Sequence, residues 1–223
     1  MSAREAILGK VRKSLAAGED AARLEAVWAR LMNAPRGVIP ARGQLDPEAR
    51  VALFCDMARD AAASVTRVAD EAAVPAAVSD YLRSRNLAAK VRMGGDRRLK
   101  SIPWVNERNL QVRHGPSDGD DEVSVSHAAA GVAETGTLVL YSGKDNPTTL
   151  NFLPDHHIVV IDAKDIAGDL EAVMAATRQR FGKGEMPRTL NFITGPSRSG
   201  DIEQKLLLGA HGPRGLHIIV VDG

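Results

Sequence analysis

One segment of the sequence places a carboxylate, two hydroxyls and a glycine directly before an apolar run. It lies within Ala133–Leu140, and its candidate site residues are Glu134, Thr135, Gly136 and Thr137. A glutamate here could act as a nucleophile, a general base or a hydrogen-bond acceptor, and a glycine lets the backbone approach a ligand closely or adopt a positive φ. A tight turn with a locally bonded Thr135 and a solvated Glu134 explains the same residues. The sequence leaves both interpretations open.

A second segment, Thr194–Glu203, has the composition of an anion-binding loop. It follows the apolar run Leu190–Ile193 and contributes five candidate ligand-binding residues: Gly195, Pro196, Ser197, Arg198 and Ser199. A glycine-containing loop that enters a helix can present N–H groups, hydroxyls and an arginine to a carboxylate or phosphate. We therefore predict a helix that begins at Ser199, for which plain helix capping is the alternative role. The segment matches neither a Walker A loop nor a dinucleotide-binding fingerprint.

The histidines and the cysteine predict no metal site. His156 and His157 are adjacent, so on a strand they point to opposite faces and cannot bind one ion together. His211 lies in the glycine-rich stretch Gly209–Pro213, where it is a candidate ligand contact or general base, or else a turn residue. Cys55 falls near the apolar face of a predicted helix, which is typical of a core residue. These residue types predict neither a metal nor a cofactor.

The elements that position these residues follow from the apolar pattern. From Ser64 onward, short β-branched runs alternate with helical spacings, which predicts a layered α/β fold with right-handed crossovers. The runs Ile158–Ile161 and Ile218–Val221 are apolar without alternation, as in strands of a parallel sheet that is covered on both faces. A helix over 165–181, capped by Asp165, is predicted between these strands.

Both polar segments stand at strand ends, which determines where they should meet. The Glu134 segment precedes one strand and the Gly195–Ser199 segment follows another, and in a mostly parallel sheet strand-end loops of this kind can converge at one crevice. We therefore expect Glu134 and Arg198 at the same cleft, where the arginine could bind an anion through two parallel hydrogen bonds.

The amino-terminal residues are predicted to be helical. Ser2 with Glu5 three residues later is a capping box, and Gly18 should end this first helix. A second helix is predicted to begin near Asp20, and one apolar stripe runs along it: Leu24, Val27, Trp28 and Leu31.

Prolines and glycines then interrupt regular structure over 34–45. Asp46 followed by a proline and an acid is a strong helix start. We therefore expect an N-terminal helical arm and connector over 1–45 and an α/β domain over 46–223.

Composition excludes several classes of function. The 223 residues carry 29 basic and 28 acidic side chains and only 4% aromatics, which gives no footprint for nucleic acid. No run of 18 uncharged apolar residues predicts a membrane span, and the first residues lack a signal-peptide core, so a cytoplasmic location is expected. A single cysteine cannot form an intrachain disulfide or supply the four ligands of an iron–sulfur cluster.

An ordered series of motifs carries a family resemblance. It comprises the Ala133–Leu140 segment, Leu153-Pro154 before the strand at His157, the Thr194–Glu203 segment and His211-Gly212-Pro213 before Leu216. The series resembles the lactate-utilisation domain family, of the stand-alone C type, over roughly residues 46 to 223. Two positions depart from the family pattern: Asn151-Phe152 stands where other members have Ser-Leu, and Gly200 where they have alanine or threonine.

The resemblance implies both a fold and a system. The fold would be a three-layer α/β/α sandwich with a mostly parallel sheet, similar to the sugar-isomerase and CoA-transferase group, preceded by N-terminal helices. The chain would belong to a cytoplasmic system that oxidises L-lactate to pyruvate. It would act there as a subunit without a redox cofactor, beside iron–sulfur partner proteins, and with a small carboxylate- or phosphate-bearing ligand at its two polar loops.

Two alternatives stand beside this implication. Glu134-Thr135-Gly136 resembles the setting of the glutamate that forms a thioester in CoA-transferases, so the chain could be an independent CoA-transferase-like or phosphosugar-isomerase-like enzyme. It could also be a pure assembly subunit whose N-terminal arm docks a partner.

Overall fold

The computed structural model describes residues 2–14, 21–202 and 205–223. Its helices are α1 (Ala3–Ser14), α2 (Ala21–Asn33), α3 (Pro47–Asp60), α4 (Val74–Ser84), α5 (Arg97–Ser101), α6 (Thr149–Phe152) and α7 (Leu170–Phe181). Its strands are β1 (Ser64–Val68), β2 (Lys90–Met93), β3 (Gln111–His114), β4 (Val123–His127), β5 (Ala130–Val132), β6 (Thr137–Tyr141), β7 (His156–Asp162), β8 (Ile166–Ala167), β9 (Leu190–Ile193), β10 (Arg198–Ile202), β11 (Lys205–Leu208) and β12 (Gly215–Val221). The chain divides into two compact units, Met1–Ile39 and Pro40–Gly223.

The smaller unit contains α1 and α2. The predicted capping box is present, since the Ser2 hydroxyl accepts from the Glu5 N–H at 3.3 Å and Glu5 Oε2 accepts from the Ser2 N–H at 2.7 Å. The predicted apolar stripe on α2 is exposed, with 63% of Trp28 accessible. The predicted helix end at Gly18 and helix start at Asp20 lie outside the described residues.

The centre of the larger unit is a six-stranded sheet in the order β1-β12-β7-β4-β2-β3, and every neighbouring pair is parallel. Strands β7 and β12 carry the non-alternating apolar runs and are buried along nearly their whole length. Alternate residues of these strands pack on opposite sides, against Phe54 of α3 on one face and against Val78 of α4 and Leu99 of α5 on the other. The predicted three-layer α/β/α arrangement with a parallel sheet is confirmed.

A second sheet, in the order β8-β5-β6-β9, lies on the face that α3 also covers. Leu138 and Leu140 of β6 join the same core as Phe54, while Val139 points the other way and meets Val173 of α7. Strand β6 pairs antiparallel with both β5 and β9. The sequence located β6 and β9 as strands but did not predict this separate antiparallel sheet.

Two predicted helix starts are wrong. The helix predicted from Asp165 begins at Leu170, because Asp169 accepts from the Ala172 N–H at 2.8 Å and the preceding residues form β8. Ser199 starts no helix; it lies on β10, which forms an antiparallel hairpin with β11. Strand pairing outweighs the local capping signal in both places, through β8 with β5 in the first and β10 with β11 in the second.

Among the described residues, no helix combines the length and the apolar character needed to cross a membrane. Within residues 2–14, 21–202 and 205–223, no group of three or more histidine, cysteine, aspartate or glutamate side chains is placed to hold a metal ion.

Candidate functional site

A pocket of about 290 Å³ lies beside the amino ends of β7 and β12, and we call it the amino-edge pocket. Short α6, the loop after β9 and the loop before β12 form its walls. Its lining residues are Asn151, Phe152, His157, Phe192, Ile193, Thr194, Gly195, Pro196, Ser197, Arg198, His211, Gly212, Pro213 and Leu216. Five of the predicted site residues are among them, namely Gly195, Pro196, Ser197, Arg198 and His211.

A buried hydroxyl joins two of the lining residues, Asn151 and His157. Ser126 Oγ donates to Asn151 Oδ1 at 3.2 Å, and His157 Nε2 lies 3.0 Å from the same Oγ. A hydroxyl has only one proton to donate, and Ser126 donates it to Asn151. The Ser126 oxygen must therefore accept a hydrogen bond from Nε2–H of His157. His157 Nδ1 therefore carries a lone pair. Burial lowers the pKa of His157 to about 3, so the ring is neutral at physiological pH.

The other polar atom of each of these two side chains has no partner. Asn151 Nδ2 and His157 Nδ1 are both buried, and neither has a hydrogen-bond partner in the described structure. Each such orphaned group costs about 1–3 kcal/mol when no ligand or water satisfies it. Two residues that line the pocket thus carry unsatisfied groups: the amide NH2 of Asn151 is a donor and the Nδ1 of His157 is an acceptor.

Ser197 holds the two loops of the pocket wall together. Its N–H donates to the Pro213 carbonyl at 2.8 Å, and its carbonyl accepts from the Gly209 N–H at 3.0 Å. Its hydroxyl accepts from the His211 N–H at 3.4 Å. The predicted contact residues Ser197 and His211 are therefore joined by their own loop contacts, and the Ser197 hydroxyl keeps its proton to donate.

Arg198 is exposed and carries the charge of the pocket lining. Its Nη2 donates to the Ala61 carbonyl, just beyond the carboxyl end of α3, at 2.9 Å. A guanidinium has five N–H donors, and this hydrogen bond uses one of them. Arg198 can therefore bind a carboxylate while it stays anchored to Ala61.

The two predicted site glycines pack against the end of α3. Gly195 has φ of +72°, and a Cβ placed there would lie 2.0 Å from the Ala61 carbonyl oxygen. Gly136 has φ of +63°, and its Cβ would lie 2.3 Å from the Ala58 nitrogen. Both positions require glycine for the backbone conformation and for the close approach. For Gly136 the sequence predicted either a close approach to a ligand or a positive φ; the positive φ is confirmed, and the close neighbour is the α3 backbone.

Glu134 is buried, with 6% of its surface accessible, so the alternative of a solvated side chain is wrong. Its Oε1 accepts from the Leu170 N–H at 3.1 Å, at the positive end of α7. Its Oε2 is buried and has no partner among the described residues. Glu134 does not line the amino-edge pocket.

A chain of threonine hydroxyls links the two polar segments. Thr135 Oγ1 lies 2.7 Å from Thr137 Oγ1, which lies 2.7 Å from Thr194 Oγ1. Since Thr194 lines the amino-edge pocket, the structure brings the Thr135–Thr137 segment next to the pocket wall. The Glu134 carboxylate and the Arg198 guanidinium contact different elements, the start of α7 and the end of α3 respectively.

Sequence reasoning missed Asn151, His157 and Ser126 as a functional group. A signal was present, because polar side chains lie in or beside the apolar runs of these strands: Ser126 alternates with valines in β4, and His157 directly precedes the apolar run that begins at Ile158. A buried polar residue in a strand needs a hydrogen-bond partner, so polar residues at such positions indicate a buried hydrogen-bond network.

The fold and the pocket define a three-layer α/β/α protein whose parallel sheet carries a polar cavity at its amino edge. Comparison with known proteins identifies the family to which this chain belongs. The model of the LUD domain matches residues 51–221, and the chain belongs to this family.

The relatives agree with this assignment. Lactate utilization protein C of Bacillus licheniformis is 31% identical over 134 residues, which is 56% of each chain. Lactate utilization protein C of Geobacillus sp. strain WCH70 is 38% identical over 102 residues, 45% of this chain and 42% of that protein. The chain thus spans about half the length of the curated relatives it matches. Among solved structures, a DUF162 family protein from Deinococcus radiodurans is similar, with a TM-score of 0.61, 25% identity, and coverage of 79% of this chain and 99% of that one.

Proposed function

We propose that this protein is a component of an L-lactate utilisation system and that its amino-edge pocket binds a small α-hydroxycarboxylate of the lactate class. The names of the relatives support the first part of the proposal. The second part rests on one observation: Asn151 and His157 line the same pocket, and each carries a buried polar atom without a hydrogen-bond partner.

The two orphaned atoms complement the two polar groups of lactate. A lactate hydroxyl can donate to His157 Nδ1, and a lactate carboxylate oxygen can accept from Asn151 Nδ2. Arg198 supplies positive charge for the same carboxylate. The apolar side chains of Phe152 and Leu216 line the pocket and can contact the methyl group. Pyruvate has no hydroxyl proton, so it would leave His157 Nδ1 unsatisfied.

The chemistry of the site favours binding over oxidation. Conversion of lactate to pyruvate removes two electrons and two protons, and a proton acceptor works best with a pKa near the working pH. His157, with a pKa of about 3, is a poor base but a good neutral hydrogen-bond acceptor. We therefore assign the electron transfer to iron–sulfur partner proteins in the cytoplasm and a non-redox role to this chain.

The position of Glu134 supports the alternative of an acyl-transferring enzyme less well than it supports a binding subunit. Its carboxylate is buried and contacts the start of α7, while a nucleophile must reach a substrate carbonyl. The lactate-binding subunit is the function that the described contacts support best.

Calorimetric titration of the purified protein with L-lactate, pyruvate and propionate tests the pocket. We expect saturable L-lactate binding, and binding at least about tenfold weaker for the two ligands that lack the hydroxyl, because a site that pairs with a hydroxyl discriminates against analogues without it. The variant Asn151→Leu, which keeps the branching and the number of side-chain heavy atoms but has no amide, should lose affinity for all three. Equal affinity for the three ligands, or no binding of L-lactate, would overturn the pocket assignment.

Gene deletion tests the role in the cell separately. The deletion strain should fail to grow, or grow slowly, on L-lactate as the sole carbon source and should grow normally on pyruvate. Normal oxidation of L-lactate in a strain that has no second lactate-oxidising enzyme would refute the role.

A further inference from the structure

A second cavity, of about 400 Å³, lies at the carboxyl ends of β2 and β4, and we call it the carboxyl-edge pocket. The residues that matter for its chemistry are Asp96, Arg97, Arg98, His127, Lys144 and Arg180. It shares no lining residue with the amino-edge pocket. Because all six strands are parallel, the two pockets lie toward opposite ends of the strands.

The strand order places this cavity where α/β sheets bind ligands. From β2 the chain continues outward to β3, at the sheet edge, whereas from β4 it continues in the other direction to β7 and then β12. The crossovers after β2 and β4 therefore diverge. A crevice opens outside the carboxyl ends of strands at such a reversal, and ligands bind there in open α/β sheets.

The pocket wall depends on two consecutive glycines after β2. The Gly95 N–H donates to the Asp145 carbonyl at 2.7 Å, and a Cβ on Gly94 would lie 2.2 Å from the same oxygen. Glycine thus allows the loop after β6 to close over the end of β2. This loop carries Lys144 to the pocket.

The lining has more positive charge than it neutralises internally. Arg98 is paired with Asp96, with Nη2 to Oδ2 at 2.9 Å, and also donates to the Ala128 carbonyl. Arg97 and Lys144 form no ion pair within the described structure.

Arg180 lies over the Tyr141 ring, 5.2 Å from its centroid, which orients the guanidinium without neutralising it. Asp145 is the lining acid outside the Arg98 pair. Three cations against one carboxylate leave a net charge of +2.

The buried histidine of this pocket adds no charge. His127 is 3% exposed, and its Nδ1 lies 2.8 Å from the Ala128 carbonyl, which can only accept, so the proton is on Nδ1. Burial and the nearby Arg98 lower the pKa of His127, so the ring is neutral at pH 7. The excess charge therefore comes from the arginines and the lysine.

From this geometry we propose that the carboxyl-edge pocket is a second ligand site, for a small molecule that bears a doubly charged oxyanion of the phosphate monoester type. The net charge of +2 on the pocket lining matches a phosphate dianion, and guanidinium groups bind its oxygens through paired hydrogen bonds. Asp162 and Asp165, which act on the neighbouring His127, lie outside this lining. Lactate, a monoanion with one carboxylate, is the ligand of the other pocket and a poor match here.

Titration with inorganic phosphate at constant ionic strength, followed by amide chemical shifts, tests this site. We expect saturable shifts of residues in the Gly94–Arg98 and Ser142–Asn146 segments. The double variant Arg97→Gln/Lys144→Gln should bind phosphate at least about tenfold more weakly, which is about 1.4 kcal/mol.

The matched control is Arg108→Gln/Arg113→Gln, which removes the same charge from exposed residues that do not line the pocket. It should change the phosphate affinity by less than about twofold, because long-range screening leaves such charges little effect. Absence of saturable binding, or an equal loss in both double variants, would overturn the proposal. L-lactate binding in the same variants should be unchanged, so a failure here is separable from a failure of the lactate pocket.

Discussion

Asn151 and His157 bind the same buried hydroxyl from opposite sides: Ser126 Oγ donates to the asparagine and accepts from the histidine. This relationship fixes which atoms of both side chains remain unpaired. The two residues that carry the remaining donor and acceptor line the amino-edge pocket, and the proposed preference for a hydroxyl over a carbonyl rests on these two groups.

Arg198→Ala should weaken L-lactate binding by about tenfold or more, because hydrogen bonds to charged groups contribute about 1.5–3 kcal/mol. The free energy of unfolding should fall by less than about 1 kcal/mol, since Arg198 is exposed and loses only its bond to the Ala61 carbonyl. Calorimetry and urea denaturation measure the two effects. Arg178→Ala, an exposed arginine of α7 outside the pocket, is the control. An unchanged affinity in Arg198→Ala would show that the guanidinium does not contact the ligand.

Acid should destabilise the protein through its buried histidines. Burial lowers the pKa of His157 to about 3, and burial together with Arg85 lowers that of His217 to about 4, from an ordinary value of 6.5. At pH values between the lowered pKa of each histidine and 6.5, the unfolded chain binds more protons than the folded one. These two histidines therefore do not reduce the free energy of unfolding above about pH 6.5. Below that pH the free energy of unfolding falls as the pH decreases, by at most about 1.4 kcal/mol per pH unit for each histidine.

Urea denaturation at several pH values checks this expectation. His157→Gln should reduce the slope of unfolding free energy against pH between 6.5 and 4.5, and the same substitution at His114, which is exposed, is the control for the change of residue. A slope that is identical in both variants would contradict the buried, neutral state of His157.

Gly195→Ala should destabilise the protein by more than about 2 kcal/mol, because the new Cβ would be strained at positive φ and would overlap the Ala61 carbonyl. Gly184→Ala separates the two causes, since Gly184 has φ of +81° but open space around it. That variant should lose about 1 kcal/mol. Thermal and urea unfolding measure both, and equal losses would mean that the contact with α3 contributes little.

Glu134→Gln should preserve growth on L-lactate, because a glutamine oxygen can still accept from the Leu170 N–H. Glu134→Ala should reduce the free energy of unfolding by about 1–3 kcal/mol, as expected when a buried donor loses its partner. The growth assay and urea denaturation provide the two measurements. Loss of function in Glu134→Gln with unchanged stability would instead support a nucleophilic carboxylate.

Local signals predicted the elements that depend on local chemistry. The cap at Asp46 and the buried strands β7 and β12 were identified because a capping residue and a non-alternating apolar run each have one favoured structure. The helix predicted from Asp165 starts later because two aspartates compete as caps, and Asp169 is the one that the Ala172 N–H meets.

The rest depends on contacts between distant parts of the chain. The antiparallel pairing of β6 with β9 is set by a long-range partner that no short pattern specifies. The same holds for the candidate site, since Ser126 and His157 meet only because β4 and β7 are neighbours in the sheet. The loop residues Gly195–Arg198 were found because their motif is local.

The last two residues of strand β4, Ser126 and His127, lie next to different cavities. Ser126 belongs to the hydrogen-bond network behind the amino-edge pocket, and His127 lines the carboxyl-edge pocket. A ligand that displaces β4 at one cavity must therefore displace it at the other. Any resulting thermodynamic linkage is reciprocal, so an oxyanion that changes the affinity for lactate by some factor has its own affinity changed by lactate by the same factor.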